Sequence, residues 1–222
     1  MGVLMPTLQT RKRKAPIARG ESVRRRIDEA AYRLFSRNGI RAVGVDTICA
    51  ESGVAKMTLY RHYPAKEDLA LSFLRQRTQL FSRPWQQDVE RRARSPEGRL
   101  LAVFDALADW FRKKDYAGCP VVKALLESED RGDPVRKGTL DYFAELRDFL
   151  QQLAEQAGLS EPEAVARQWM ILIKGAVVVA CAGDRGAAMR AKELAAALLV
   201  SKGLDPSSSS AAKRKRARNS RR

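Results

Sequence analysis

Between residues 56 and 66 the chain gathers an unusual number of side chains able to meet a polar partner: Lys56, Thr58, Tyr60, Arg61, His62 and Lys66, with Met57 among them. Burying these groups together would be costly unless each found a hydrogen bond. Their chemistry suits recognition. A guanidinium at Arg61 can bridge the two acceptors of a guanine edge, and Met57 can meet a thymine methyl. Thr58 and Tyr60 suit phosphate oxygens, and Lys66 can meet phosphate beside the free N–H groups of a helix start. Catalysis is a poor match. His62 is the single histidine, and no carboxylate pair on a recognisable cleft, phosphate-cradling glycine loop or metal-ligand cluster accompanies it. The sequence is therefore read as a non-enzyme with no cofactor and no metal.

The charge distribution points to the same partner. The formal charge is +16. Residues 1–66 carry 14 Lys/Arg against 5 Asp/Glu, and residues 204–222 carry 7 against 1, so the 137 residues between are left at only +1. Two local basic regions flanking a neutral body favour a polyanion-binding end joined to a different kind of domain. Cys49, Cys119 and Cys181 are odd in number and widely spaced, which fits neither a disulfide framework nor zinc and favours a reducing cytoplasm. The N-terminus lacks the pattern of a secretory signal. The apolar run from Trp169 to Ala182 is interrupted by Lys174 and reads as a buried helix, so no membrane partner is expected.

Stepping out from the polar cluster, apolar spacing predicts the elements that must hold it. Val23, Ile27, Ala30, Ala31, Leu34 and Phe35 recur at helical intervals from Ser22 until Gly39. Arg24, Arg25 and Arg26 then fall at the helix beginning, an end unfavourable to cations. A short helix over 45–52 turns its Val45, Ile48 and Cys49 inward, Gly53 permits a tight turn, and Val54 plugs the gap. A third helix spans about 56–62, anchored by Leu59 and Tyr63 and broken by Pro64. A fourth starts near Lys66, carries Leu69, Phe73, Leu74, Leu80 and Phe81 inward, and ends about Pro84. Further helices are expected from Ser95 to about 111, then over 121–128, 135–157, 161–181 and 187–202, with Leu140, Phe143, Leu146, Phe149, Leu150 and Leu153 on the inner face of the long one. The fold class is all-α, about nine helices: a helix-turn-helix three-helix module followed by a larger helical bundle. The domains are a basic arm (1–21), the helix-turn-helix domain (22–66), a helical domain for effector binding and dimerisation (67–203) and a basic tail (204–222).

The run VDTICAESGVAKMTLYRHYPAKEDL, residues 45–69, resembles the DNA-binding signature of the tetracycline-repressor (TetR) family, and the similarity extends over about residues 22–70. The resemblance implies a homodimeric transcriptional regulator, usually a repressor, that leaves a palindromic operator when its C-terminal domain binds a small-molecule effector. It also implies that Thr58, Tyr60 and His62 lie at the DNA and that Lys66 touches the backbone. Gly44 and Ala55 stand where the family usually has Ser or Thr and Ser, losing two helix caps worth up to ~1 kcal/mol each. Met57 replaces a frequent glycine, and Tyr63 the usual phenylalanine.

In the larger domain, Trp110, Phe111, Tyr116, Cys119, Phe143 and Trp169 are candidates to line an effector cavity. The segment 169–179 is apolar on almost every side, more than one chain's core needs. Met170, Ile173 and Val177, with Leu194 and Leu198 of the last helix, are the candidate dimer interface, half of a four-helix seam. The basic tail adds salt-sensitive, non-specific attraction for DNA. The alternative reading is a non-specific architectural DNA-binding protein whose basic ends dominate; it leaves the neutral helical body without a purpose.

Overall fold

The computed structural model describes residues 19–128 and 130–204. The basic arm before Arg19 and the tail after Leu204 lie outside the described residues. Ten α-helices and one π-helical turn follow in order, with no strand among the described residues. They are α1 (Arg19–Asn38), α2 (Val45–Ser52), α3 (Lys56–His62), α4 (Lys66–Arg77), a π-helical turn (Thr78–Ser82), α5 (Arg83–Arg92), α6 (Pro96–Phe111), α7 (Pro120–Glu127), α8 (Pro134–Gln156), α9 (Pro162–Cys181) and α10 (Ala187–Ser201). Because α4, the π turn and α5 run on without a break, they form nine rods, in agreement with the all-α reading.

Three expectations are corrected. First, α1 starts at Arg19, so Arg24–Arg26 lie in its second turn, where the unfavourable end effect has largely faded. Second, the helix that begins at Lys66 does not stop at Pro84. In a regular helix that proline would lack a donor and collide with the preceding turn. The wider π turn just before it absorbs the misfit: the Arg83 N–H reaches back five residues to the Thr78 carbonyl, and the helix continues to Arg92. The same change of phase carries Leu80, expected inside, to the surface at 50 % exposure. Third, Leu140 of α8 is also turned outward.

The packing divides the chain into two compact units. The first takes the helices up to Pro84 together with Cys119–Ala144, which includes α7 and the start of α8. Ile27, Ala30, Ala31 and Phe35 from α1, Ile48, Leu59, Tyr63, Leu69 and Phe73 form its core. Phe35 and Tyr32 each meet the Phe73 ring at 5.5 Å between centroids. Arg77 is also buried here, its guanidinium 3.7 Å from the centre of the Phe81 ring and donating to the Tyr32 hydroxyl at 3.3 Å. Burial pushes the neighbouring Tyr142 phenol up to about 12, so it remains protonated across the ordinary pH range.

The second unit takes Trp85–Gly118 and the chain from Glu145 onward. Helix α6 turns Leu100, Val103, Phe104, Leu107 and Phe111 inward at the spacing read from sequence. Its start is capped by Ser95, whose hydroxyl accepts the Gly98 N–H at 3.2 Å. Against it lie α9, through Val165, Trp169, Ile173 and Val177, and α10, whose Ala188, Ala191 and Ala195 permit close approach. Trp169 is wholly buried and donates its indole N–H to the Leu100 carbonyl at 2.9 Å. Helix α9 is long and apolar enough to cross a membrane by length and composition, with a mean hydropathy of 1.6. Its alanine, valine and tryptophan face is instead part of the second unit's core.

Candidate nucleic-acid interface

The geometry of α2, the turn and α3 follows from a few residues. Gly53 is left-handed (φ 64°), a conformation that costs glycine nothing, and lets the chain reverse within one residue of α2. The Val54 N–H returns to the Cys49 carbonyl at 3.2 Å, and the Val54 side chain fills the space between the helices. Neither Gly44 nor Ala55 supplies a side-chain cap to the helix it precedes. Helix α4 is better started, since the Asp68 carboxylate accepts the Ala65 N–H at 3.0 Å.

Of the seven residues in α3 only Leu59 is buried, against the first unit's core. Met57 is 81 % exposed, Lys56, Tyr60 and Arg61 are exposed, and Thr58 and His62 are half-buried. Residues 56, 57, 60 and 61 share one helix face through their three- and four-residue spacing. The Lys56 ammonium pairs with Asp46 of α2 at 2.9 Å, and that bond raises its proton affinity. Both partners are open to water, so the pair is weak enough for phosphate to displace. Lys66, the first residue of α4, is half-buried and donates to the Arg41 carbonyl at 3.2 Å. Burial lowers its pKa, opposed by the nearby carboxylates of Glu67 and Glu127.

The face is braced from behind. Tyr63, where the family pattern has phenylalanine, is buried, and its hydroxyl donates to the Asp28 carboxylate. The same hydroxyl lies 3.1 Å from Ser72 Oγ and accepts from Arg24 Nε at 3.2 Å. One phenol thus ties α1 to α4 directly behind the end of α3. Arg26 donates to the Gly53 carbonyl in the turn at 3.3 Å, and Arg33 holds Glu51 of α2 at 2.9 Å. Much of the arginine cluster in α1 is therefore occupied in positioning the two short helices. Cys49 is half-buried rather than fully inward, and burial, with Asp46 adding, raises its thiol pKa away from the reactive thiolate.

Sequence reasoning missed Glu127. It stands at the end of α7, and its carboxylate accepts the Arg41 N–H at 3.1 Å while its carbonyl accepts from the Arg41 guanidinium at 3.0 Å. A separation of 86 residues leaves no trace of this pairing in the pattern of either segment.

The six candidate cavity residues are shared between the two units. Cys119 and Phe143 belong to the first unit, while Trp110, Phe111, Tyr116 and Trp169 belong to the second. Trp110, Phe111 and Tyr116 pack on one another at 5.0–5.8 Å between centroids, and the Tyr116 hydroxyl donates to the Val177 carbonyl at 3.0 Å. These are core contacts. The second unit holds two other buried polar atoms with no hydrogen-bond partner among the described residues, Trp85 Nε1 and Gln168 Oε1. Of the candidate interface residues, Ile173 and Val177 are buried within their own chain, at 2 % and 3 % exposure. Met170 and Leu198 are half-buried and Leu194 is 59 % exposed. The outward large apolar residues of α9 are Ile171, Val178 and Val179.

Two family models match the two parts of the chain. The model for bacterial regulatory proteins of the tetR family covers residues 27–73, and the tetracyclin repressor-like C-terminal domain covers residues 96–195. The chain belongs to the TetR family. Among similar proteins is the HTH-type transcriptional regulator LmrA of Bacillus subtilis, 25 % identical over 159 residues, 70 % of this chain and 85 % of the relative. The HTH-type regulator YjdC of Escherichia coli is 25 % identical over 148 residues, 65 % of this chain and 76 % of its own. A TetR-family regulator from Streptomyces coelicolor superimposes with a TM-score of 0.75 at 28 % identity, covering 82 % of this chain and 97 % of that one. A TetR regulator from Chloroflexus aurantiacus shares the fold at 20 % identity, with a TM-score of 0.70 over 83 % of this chain and 97 % of that structure. The protein is thus a TetR-family transcriptional regulator with a DNA-binding helix-turn-helix.

Proposed function

We propose that this regulator is a repressor that binds a palindromic operator as a homodimer and is released by a small-molecule effector. The observation that carries the reading is α3: a helix that buries one residue and turns Lys56, Met57, Tyr60 and Arg61 outward. Arg61 reads a guanine edge, Met57 meets a thymine methyl, and Thr58, Tyr60, His62 and Lys66 meet the backbone or flanking base edges. The dimer seam is formed by the outer faces of α9 and α10, through Ile171, Val178, Leu194 and Val200, all more than half exposed in one chain. A two-fold homodimer carries two α3 helices, one for each half-site of a palindrome. The effector binds the helical domain of residues 67–203, where Trp85 Nε1 and Gln168 Oε1 offer one donor and one acceptor. Action on DNA places the protein in the cytoplasm.

The test is fluorescence anisotropy of the full-length protein on the DNA upstream of its own gene and on a scrambled duplex, across a salt series. A preference of ~10³-fold or more, with two protomers per site, supports the reading. Equal affinity that vanishes with salt on every duplex, including one selected from a randomised pool, would leave the architectural alternative standing. Replacing Arg61 by Ala should relax preference at one or two base positions; a uniform loss would assign it to phosphate.

A further inference from the structure

We infer that Glu127 is a positioning residue for DNA binding: through Arg41 it fixes the loop between α1 and α2 and presents the Lys66 ammonium to the phosphate backbone. The inference rests on the reading of Lys66 as a phosphate contact and adds the device that aims it.

Residue 41 is held on every side. Its N–H is taken by the Glu127 carboxylate at 3.1 Å, its guanidinium by the Glu127 carbonyl at 3.0 Å, and its own carbonyl by Lys66 Nζ at 3.2 Å. The chain before it has been cleared for this approach. Gly39 is left-handed (φ 86°), and a Cβ placed there would lie 3.1 Å from Glu127 Oε1, tighter than ordinary contact. Glycine therefore serves both the turn out of α1 and the entry of the carboxylate. The three residues line a pocket of about 450 Å³ whose walls include Ile40, Ala70, Ala124 and Val135. The pocket is open to solvent, and Glu67, Asp130 and Asp133 line it as well.

The consequence for Lys66 is geometric. An ammonium has three donors; one is spent on the Arg41 carbonyl, and two remain for phosphate. A lysine side chain otherwise carries large rotamer freedom that binding would have to remove. Fixing residue 41 from α7 removes part of that freedom before DNA arrives. The Glu127 charge also lies near enough to favour the protonated lysine, against the burial that disfavours it.

The test uses the full chain and a duplex selected by the wild-type protein from a randomised pool. Operator affinity is measured across a salt series for the wild type, Glu127→Ala, Glu127→Gln, Lys66→Met and the Glu127→Ala/Lys66→Met pair. Lys66→Met should weaken binding roughly tenfold and reduce the salt slope by about one. Glu127→Ala should reproduce both effects, and the double variant should be no weaker than Lys66→Met alone. Glu127→Gln, whose carbonyl oxygen can still accept the Arg41 N–H, should restore most of the affinity. A merely structural role for Glu127 would lower thermal stability without changing the salt slope. If Glu127→Ala does not fold, Glu127→Asp keeps the charge, withdraws the carboxylate by one methylene and should give the same pattern. Additive losses, or an unchanged salt slope in Glu127→Ala and Glu127→Asp, overturn the inference while leaving Lys66 at phosphate. An unaffected Lys66→Met overturns the phosphate reading itself.

Discussion

Helix α3 and helix α9 use their surfaces in opposite ways. The first has seven residues, buries one, and turns lysine, arginine, tyrosine and methionine outward. The second has twenty, buries Val165, Ala166, Trp169, Ile173, Ala176, Val177 and Ala180, and leaves isoleucine and valine outside. So short a helix is not stable alone. It is held by Leu59, by the turn before it and by the Tyr63 hydroxyl behind it, which frees its remaining side chains for a ligand. Helix α9 supports itself by burial on one side and still offers an apolar strip on the other. A polar outward face suits a charged, hydrated partner. An apolar one suits a surface that excludes water, as a second copy of α9 and α10 would.

The largest expected effect lies on the buried side of α9. Trp169→Ala removes a fully buried indole and orphans the Leu100 carbonyl it serves. Urea denaturation should show a loss of about 3–5 kcal/mol. A change below ~1 kcal/mol would mean that the helix does not depend on this face. The outer side is tested next. Val178→Asp places a charge in the proposed seam twice, once from each protomer. Analytical ultracentrifugation should show the dimer dissociation constant raised a hundredfold or more, about 2.7 kcal/mol, with the circular dichroism of the monomer unchanged. An unaltered association would move the seam away from this strip and end the contrast drawn between the two helices.

A smaller effect is expected behind α3. Tyr63→Phe restores the residue usual in the family but deletes the phenol that joins Arg24, Asp28 and Ser72. Stability should fall by roughly 1–2 kcal/mol, because Asp28 loses a donor at a partly buried site. Burial and the bond to Asp28 both hold the phenol protonated, so the difference should persist across neutral pH. If the variant is as stable as the wild type, water has replaced the hydroxyl and the hub is not a brace.

How legible this was in the sequence depends on the range of the interaction. Helices α2 and α3 were readable to the residue because their signals are local: Gly53 at the turn, Leu59 as anchor, Pro64 as stop. The helix start at Arg19 was missed because its first turn lacks apolar spacing. The continuation through Pro84 was missed because the π turn that accommodates it has no compositional mark. On α9 nearly every residue is apolar, so periodicity could not separate the inner face, with Ile173 and Val177, from the outer one, with Ile171, Val178 and Val179. The Glu127–Arg41 pairing and the Tyr63 hub join residues 86 and 35 positions apart, and no spacing rule reaches that far.

The smallest effect concerns a charge cluster in the second unit. Asp109 accepts hydrogen bonds from Arg92, at 2.6 Å, and from Arg112. Burial works to raise its pKa, but the two guanidiniums outweigh it and hold the carboxyl below its usual value. A depressed folded pKa adds stability that is fully present above the unfolded value, near 3.9, and is lost as pH falls through the folded one. Asp109→Asn should therefore cost stability at pH 7, by less than about 1 kcal/mol because the carboxylate is 37 % exposed and screened. The gap between variant and wild type should narrow as denaturation is repeated from pH 5 down to pH 3. A gap that stays constant over that interval would show that Asp109 acts through packing and neutral hydrogen bonds. The cluster would then resemble the core contacts of α9 more than the exchangeable Lys56–Asp46 pair beside α3.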